Sequence, residues 1–296
     1  MVLVRVRQLL EMIRFSHTLF ALPFALLAAA MAWSANARSR PPITFRPLDA
    51  VGIVVCMVAA RSAAMAFNRL ADRRLDALNP RTQARHLPSG RLSTRAVAAF
   101  TAGCSLAFVG GTLLFLPRNW LPLAAALPLL AFLLGYSYAK RFTMLAHVWL
   151  GTALGLAPLA AWIVLRPELA WPPLLLGGAV TLWVAGFDMI YACQDLDFDR
   201  KMRLRSVPAR LGIPAALRLA ALCHLGMLAL LVALPWAFPR FGIVYRAGVA
   251  TIAVLLVYEH CLVRPDDLTR VNRAFFHVNA VVSLGLLAAG VTDLLL

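Results

Sequence analysis

Two short acidic motifs, each at the end of a long apolar stretch, have residue types that suit the binding of a metal ion. In the first motif, Asn68, Asp72 and Asp76 recur at every fourth position. A helix places such residues on one face, with successive side chains about 6 Å apart. Carboxylates this close repel one another unless a cation is shared between them, and Asp and Asn oxygens suit Mg²⁺. We therefore expect Asn68, Asp72 and Asp76 to be Mg²⁺ ligands.

The second motif lies much later in the chain and has a similar composition. If it is helical, Asp188, Asp195 and Asp199 share one face with Tyr191 beside it, whereas Asp197 points the opposite way. Nearly half of the chain's 13 acidic residues lie in the two motifs. Asp195 and Asp199 are expected to be further Mg²⁺ ligands. Asp188 lies about two helical turns earlier, inside the apolar stretch, where ionisable residues are usually functional.

Basic side chains accompany both motifs and could bind the phosphate groups of an anionic substrate. Arg61 lies inside an apolar stretch, on the same helical face as Asn68 and Asp72. Lys140 and Arg141 suit either this role or that of anchors at the membrane surface. An anion held by Mg²⁺ at the rim of hydrophobic helices suggests a diphosphate whose tail enters the membrane, that is, a polyprenyl diphosphate. The residues expected to bind substrate are Arg61, Asn68, Arg85, Tyr138, Lys140, Arg141 and Lys201.

The reaction that fits such a site is the departure of pyrophosphate from an allylic carbon. Mg²⁺ and cationic side chains stabilise the charge that develops on the leaving diphosphate. The allylic cation would then be attacked by an electron-rich ring, and the rings of Tyr138 and Tyr191 could stabilise it. Because water would quench the cation, the site has to be dry. The expected catalytic residues are Asp72, Asp188, Tyr191 and Asp195.

The elements that must position these residues are membrane-spanning helices. The chain has 296 residues, of which 61% are hydrophobic and 14% are charged, and its mean hydropathy is +0.78. A soluble domain of this length does not have such a composition, and the apolar stretches are long enough to cross a bilayer core of about 30 Å. The sequence predicts an all-α polytopic membrane protein with nine spans, at about residues 15–34, 49–70, 95–116, 119–139, 144–165, 171–194, 215–236, 242–262 and 275–295.

The distribution of charge favours one orientation in the membrane. The formal net charge is +16, and in a membrane protein the usual cause is the positive-inside rule rather than the binding of nucleic acid. With the N-terminus in the cytoplasm, most of the 29 Lys and Arg residues fall in cytoplasmic segments. Both acidic motifs and both long basic loops then face the cytoplasm. We expect an integral protein of the bacterial inner membrane, with membrane lipid as a partner and no nucleic acid.

These motifs resemble those of a known family, the UbiA superfamily of intramembrane aromatic prenyltransferases. The first motif matches the family signature NxxxDxxxD, and the second matches YxxxDxxxD preceded by another Asp. The loop Arg81-Thr-Gln-Ala-Arg85-His-Leu-Pro-Ser-Gly90 is similar to the family segment RTxxRPLPSG, with His86 in place of Pro. The segment Tyr138–Thr143, which contains a Lys-Arg pair, is similar to another family segment. The resemblance implies one transmembrane prenyltransferase domain over residues 1–296, folded as a nine-helix UbiA-type bundle.

The resemblance also implies an activity and its partners. A member of this family would be a Mg²⁺-dependent polyprenyltransferase, in the class of enzymes that transfer alkyl groups other than methyl. Its aspartates would bind two Mg²⁺ ions on a polyprenyl diphosphate. The acceptor would be 4-hydroxybenzoate or a related aromatic acid of ubiquinone or menaquinone biosynthesis. The stretch 188–200 is most similar to the family branch linked to menaquinone synthesis through futalosine, which makes a dihydroxynaphthoate a second candidate acceptor.

Two other functions are compatible with parts of the pattern. A secondary transporter of an anionic substrate would also carry intramembrane acids and a cationic rim, but its acids would lie nearer the bilayer midplane, in helices broken by Gly or Pro. In this sequence the acids cluster at the ends of apolar stretches. The other alternative is a UbiA-type enzyme with another acceptor ring, such as haem or a chlorin. Mg²⁺-dependent release of pyrophosphate would distinguish an enzyme from a transporter.

Overall fold

The described part of the chain consists of helices and the loops that connect them. The computed structural model describes residues 2–13, 21–36, 46–268, 271 and 278–296. Among these residues the only β-type pairing is an isolated bridge between Arg264 and Asp267, so the all-α prediction is confirmed for them. The α-helices are α1 (Val2–Met12), α2 (Leu22–Asn36), α3 (Pro47–Leu78), α4 (Thr94–Thr112), α5 (Leu121–Phe142), α6 (Ala146–Leu165), α7 (Trp171–Ala192), α8 (Leu196–Lys201), α9 (Val207–Leu211), α10 (Ile213–Ala237), α11 (Ile243–Leu262) and α12 (Asn279–Leu295).

Long apolar helices make up most of the described chain. Seven helical segments are long and apolar enough to cross a membrane, and they are α3, α4 with the 3₁₀ turn that follows it, α5, α6, α7 with α8, α10 and α11. Helices α2 and α12 are also apolar but have only 15 and 17 residues. The predicted first and ninth spans begin at residues 15 and 275, which lie outside the described residues. The described helices therefore support seven of the nine predicted spans.

The helices are grouped in two compact units. The first unit comprises Met1–Thr18 and Arg46–Tyr138, and its longest helix is α3, which has 32 residues. Small residues on α3 let its neighbours pack closely: Ala59 and Ala63 share a buried core with Phe108 of α4. This packing supports the helix that carries the acidic residues of the first motif near its C-terminal end.

The second unit comprises Leu19–Phe45 and Ala139–Leu296. Helix α7 packs between α6 and α10 at the centre of this unit. The Trp183 side chain of α7 is fully buried and donates through Nε1 to Oδ1 of Asn279 in α12 at 2.9 Å. A buried indole needs such a partner for its N–H. The last turns of α7 carry the start of the second acidic motif.

Helices α6 and α7 approach closely because glycine occupies their contact. A Cβ atom added to Gly151 or Gly155 would overlap atoms of Thr181 in α7. We expect Gly151→Ala to destabilise the protein by about 1–3 kcal/mol, because the backbone carbonyl that it meets cannot move without shifting a helix. The matched control is Gly103→Ala, since nothing lies within 4 Å of a Cβ at that position. Thermal unfolding in detergent measures both variants, and equal midpoints would contradict this account of the packing.

Candidate active site

The first acidic motif lies near the C-terminal end of α3, which continues without a break to Leu78. Nδ2 of Asn68 donates to Oδ2 of Asp72 at 3.4 Å, so the two side chains lie one turn apart on one face, as expected from their spacing. Asp72 is only 3% exposed. Asn68 and Asp72 therefore each provide a side-chain oxygen that could bind a metal ion, and packing sets the orientation of the buried Asp72 side chain.

Asp76, one turn further along α3, is held by two arginines. Its Oδ1 forms a 2.8 Å ion pair with Nη1 of Arg85, and its Oδ2 lies 3.8 Å from Nη1 of Arg69. The Asp76 side chain is 8% exposed, and a carboxylate this buried needs charged partners. Asp76 and Arg85 therefore join the basic loop to the end of α3. The spacing of the motif does not single out Arg69.

The basic loop after α3 is compact because its residues bond to one another. Oδ1 of Asn79 accepts the N–H of Arg81 at 2.9 Å, and Oγ1 of Thr82 donates to the carbonyl of Asp76 at 3.0 Å. Gly90 has a φ of 74°, in the left-handed region that favours glycine, which lets the loop turn towards α4. These contacts hold the loop against the C-terminal end of α3.

The other side of this loop contacts α1. Nε2 of His86, which stands where the family segment has Pro, lies 3.6 Å from Oε2 of Glu11. Burial and, second, the charge of Arg91 lower the pKa of His86, which favours the neutral ring. Met12 of α1 and Leu92 of the loop share a buried cluster. The loop that carries Arg85 thus has packed neighbours on both sides.

Arg61 and Tyr138 belong to the same unit as the first motif. Nη1 of Arg61 donates to the carbonyl of Ile13 at 3.4 Å, next to the end of α1. Tyr138 is 41% exposed, and its ring meets Phe67 edge-on with ring centroids 5.9 Å apart. The contact with Phe67 places the Tyr138 ring beside the turn of α3 that carries Asn68.

The second motif is not one continuous α-helix, which corrects the regular helix assumed in its periodicity. Helix α7 ends before a 3₁₀ turn at Cys193–Asp195, and α8 follows. Asp195 has φ −104° and ψ 10°, outside the α-helical region. Asp has a low helix propensity, and Nε2 of Gln194 supports the turn by donating to the carbonyl of Tyr191 at 3.3 Å. Asp188 and Asp195 therefore belong to different elements.

Asp199 lies in α8 and is buried, whereas Asp197 of the same helix is exposed, as expected from their positions. Oγ of Ser206 donates to Oδ2 of Asp199 at 2.6 Å and also caps α9 by accepting the N–H of Ala209. The second basic loop is therefore tied to the motif by a serine that the sequence pattern does not mark. Lys201 is exposed at the end of α8.

Lys140 and Arg141 lie in the last turn of α5. The N–H of Arg205 donates to the carbonyl of Lys140 at 2.7 Å, and Nη1 of Arg205 donates to the carbonyl of Phe142 at 2.8 Å. These bonds satisfy carbonyls at the helix end and fix it to the loop that follows the second motif. The Lys140 ammonium interacts electrostatically with Asp199. Arg141 is exposed.

Asp188, near the end of α7, is paired with His147 in the first turn of α6. Oδ2 of Asp188 and Nδ1 of His147 are 2.7 Å apart, and Nε2 of His147 accepts the N–H of Val207 at 3.3 Å. The sequence alone suggests that His147 is a packing or interface residue, because it has no second ligand-type residue at helical spacing. Its partner comes from another helix, and spacing along one helix cannot show such a pair.

The side-chain atoms that the two motifs offer to a metal ion are of the type that Mg²⁺ prefers. They are carboxylate and amide oxygens, which hard divalent cations prefer. In the residues that the structure describes, no three His, Cys, Asp or Glu side chains converge closely enough to hold a metal by themselves. Mg²⁺ usually takes only one or two carboxylates and completes its shell with water and phosphate oxygens. A pair such as Asn68 and Asp72 is therefore sufficient on the protein side.

Known proteins have sequences and structures similar to those of this chain. The model of the UbiA prenyltransferase family matches residues 17–281. A 4-hydroxybenzoate octaprenyltransferase from Nitrosospira multiformis is 32% identical over 228 residues, which are 77% of each chain. A UbiA homolog from Aeropyrum pernix K1 has a similar structure, with a TM-score of 0.81 and 32% identity over 95% of this chain and 98% of that chain. A UbiA homolog from Archaeoglobus fulgidus bound to GPP and Mg²⁺ shares the fold, with a TM-score of 0.68, 18% identity, and coverage of 98% of this chain and 100% of that chain.

Proposed function

This chain belongs to the UbiA prenyltransferase family, and from that premise we propose that it transfers a polyprenyl group from a polyprenyl diphosphate to an aromatic acid of quinone biosynthesis, with release of pyrophosphate. The observation that carries the proposal is the hydrogen-bonded pair of half-buried Asn68 and buried Asp72 near the end of an unbroken apolar helix. The relative named 4-hydroxybenzoate octaprenyltransferase favours 4-hydroxybenzoate as the acceptor. A dihydroxynaphthoate is the second candidate.

Each acidic motif would hold Mg²⁺ and, with it, diphosphate oxygens. Bound Mg²⁺ would stabilise the charge that develops on the departing pyrophosphate. Asp76 and Asp199 already accept bonds from Arg85 and Ser206, but an ionised carboxylate has about four lone-pair positions and retains room for a cation. The proposed ligands are Asn68, Asp72 and Asp76 in the first motif and Asp195 and Asp199 in the second.

The basic residues would bind the phosphate groups and the carboxylate of the acceptor. Lys140 is close enough to the second motif to interact electrostatically with Asp199. Arg guanidinium groups suit phosphate and carboxylate through paired hydrogen bonds. The residues proposed for these contacts are Arg61, Arg85, Lys140, Arg141 and Lys201.

Tyr138, Tyr191 and Asp188 would act on the organic groups. The two tyrosine rings offer faces that stabilise an allylic cation. A carboxylate such as Asp188 repels the carboxylate of an aromatic acid, so it would instead accept a hydrogen bond from the ring hydroxyl. That hydrogen bond raises the electron density of the ring and favours its attack on the prenyl carbon.

The proposed topology has nine spans, with α2 and α12 as the first and last. A helix of 15 residues extends about 22 Å, which is short for a bilayer core of about 30 Å, so α2 would need the adjoining residues of the predicted span. The N-terminus and both acidic motifs would face the cytoplasm from the bacterial inner membrane. The whole chain would act as one prenyltransferase domain, which the family match over residues 17–281 supports.

The experiment that tests the function uses purified protein in liposomes with Mg²⁺ and a polyprenyl diphosphate. 4-Hydroxybenzoate and a dihydroxynaphthoate are supplied in separate reactions, and mass spectrometry and a pyrophosphate assay follow the products. We expect a prenylated acid and stoichiometric pyrophosphate with one acceptor, and neither when Mg²⁺ is removed with EDTA. Uptake of an anion into the liposomes without pyrophosphate release would indicate a transporter and would contradict the proposal.

A further inference from the structure

His147 and Asp188 form a hydrogen-bonded pair whose two members differ in exposure. The His147 side chain is 5% exposed and the Asp188 side chain is 22% exposed, at a separation of 2.7 Å between Nδ1 and Oδ2. The imidazole therefore lies behind the carboxylate, and the accessible part of the pair belongs to Asp188. A molecule that reaches this pair meets Asp188 first.

The backbone of α9 determines which nitrogen of His147 carries the proton. The N–H of Val207 is directed at Nε2 of His147 with a separation of 3.3 Å. Because a backbone N–H can only donate, Nε2 must accept, and a neutral imidazole then carries its proton on Nδ1. That N–H faces Asp188 and donates to its carboxylate. A hydrogen bond from a buried donor stabilises the charged carboxylate and fixes its direction.

One short segment supports both Asp188 and Asp199. Oγ of Ser206 donates to Asp199, and the next residue, Val207, donates to His147. Val207 is the first residue of α9, where a backbone N–H has no partner within its own helix. This otherwise orphaned N–H is therefore used to orient His147. The loop before α9 thus positions Asp199 directly and Asp188 through His147.

We propose that His147 is a positioning residue of the transfer reaction, which holds the Asp188 carboxylate directed towards the ring hydroxyl of the aromatic acceptor. The proposal rests on the proposed function, which assigns Asp188 to the acceptor. His147 lies behind Asp188 and acts through it. Without the Nδ1–H, the carboxylate would lose its fixed orientation and the donor that stabilises its charge near an apolar helix. The defect should therefore concern the acceptor and not the diphosphate.

Three variants at position 147 separate the two contacts of the imidazole. His147→Asn places an amide N–H near the position of Nδ1 and can retain the bond to Asp188. His147→Gln reaches the position of Nε2 and can retain only the contact with Val207, and His147→Ala removes both. We expect the Asn variant to keep most of the activity. The Gln and Ala variants should lower kcat/KM for the acceptor on the order of 10- to 100-fold, with the KM for the diphosphate unchanged.

A double-mutant cycle tests whether His147 acts through Asp188. In the Asp188→Asn background, His147→Ala should cause no further loss of acceptor use. The control for the loss of a buried histidine is His224→Asn, because His224 is paired with His260 and not with a motif residue, and it should leave the KM for the acceptor unchanged. Equal losses in both backgrounds, or full activity of a folded His147→Ala protein, would overturn the proposal.

The protonation site of His147 gives a readout that does not depend on catalysis. In protein labelled with ¹⁵N-histidine, NMR shows which ring nitrogen carries the proton, and the His147 signals are those absent from His147→Asn. We expect His147 to be the Nδ1–H tautomer at neutral pH, and we expect its ring-nitrogen signals to change in Asp188→Asn. An Nε2–H tautomer would overturn the inference even in an active prenyltransferase. Absence of product with either acceptor, in protein that has the Nδ1–H tautomer, would overturn the proposed function and not the orientation of Asp188 by His147.

Discussion

Asp72→Asn and Asp195→Asn will each reduce product formation by at least about 100-fold, because each variant removes a negative charge that would hold Mg²⁺ on the diphosphate. Asn has nearly the size of Asp, so the packing around the buried Asp72 side chain, which is 3% exposed, is retained. The loss should be accompanied by a higher Mg²⁺ concentration for half-maximal rate. Initial rates measured over a Mg²⁺ titration, at saturating concentrations of both substrates, check both expectations.

The matched control for this prediction is Asp197→Asn. Asp197 lies in α8, close to Asp195 in sequence, but is exposed and faces away from the buried Asp199. Its substitution changes the net charge by the same amount, and we expect the rate and the Mg²⁺ dependence to stay within about twofold of wild type, as for most surface substitutions. A loss in Asp197→Asn as large as in Asp195→Asn would mean that overall charge, and not metal ligation, explains the effect.

Arg85→Gln will destabilise the protein by about 1–3 kcal/mol, because it leaves the buried Asp76 carboxylate with only the more distant Arg69, at 3.8 Å, in place of its 2.8 Å partner. The side chains of Asp76 and Arg85 are 8% and 26% exposed, so solvent cannot fully replace the lost contact. The loop after α3 should also become more susceptible to protease. Thermal unfolding in detergent and limited proteolysis measure these effects, with Arg74→Gln, an exposed position on α3, as the control.

The double variant Arg85→Gln, Asp76→Asn separates the two roles of Asp76. Removing both charges eliminates the buried carboxylate that has lost its closest partner, so stability should return to within about 1 kcal/mol of wild type. Activity should not return, because Asp76 is also a proposed Mg²⁺ ligand. Recovery of both stability and activity would show that Asp76 serves only to hold the loop.

The first motif could be predicted from the sequence because its geometry is local. Residues four positions apart on a helix must lie on one face, and the bond between Asn68 and Asp72 shows this directly. The lengths of the apolar stretches likewise indicate spans, since a bilayer core has a fixed thickness. The exposure of Asp197 and the burial of Asp199 follow from their neighbouring positions on one short helix.

The second motif shows where local reasoning fails. Periodicity assumes a continuous α-helix, but a 3₁₀ turn at Cys193–Asp195 separates α7 from α8. Whether a helix continues through several aspartates depends on small differences in propensity and on side-chain bonds such as that of Gln194. These differences are too small to be decided from residue types alone.

The sequence by itself determined the membrane-helical class, the family motifs and the oxygen-donor residues, because these depend on composition and on spacing within single helices. Only the tertiary structure decided which residues elsewhere in the chain form hydrogen bonds or ion pairs with the carboxylates of the motifs. The pairs Asp76–Arg85, Asp199–Ser206 and Asp188–His147 each join a motif to another helix or loop. The last pair joins residues 41 positions apart in the chain. Such contacts depend on how helices pack in three dimensions, and the period of a single helix carries no information about its neighbours.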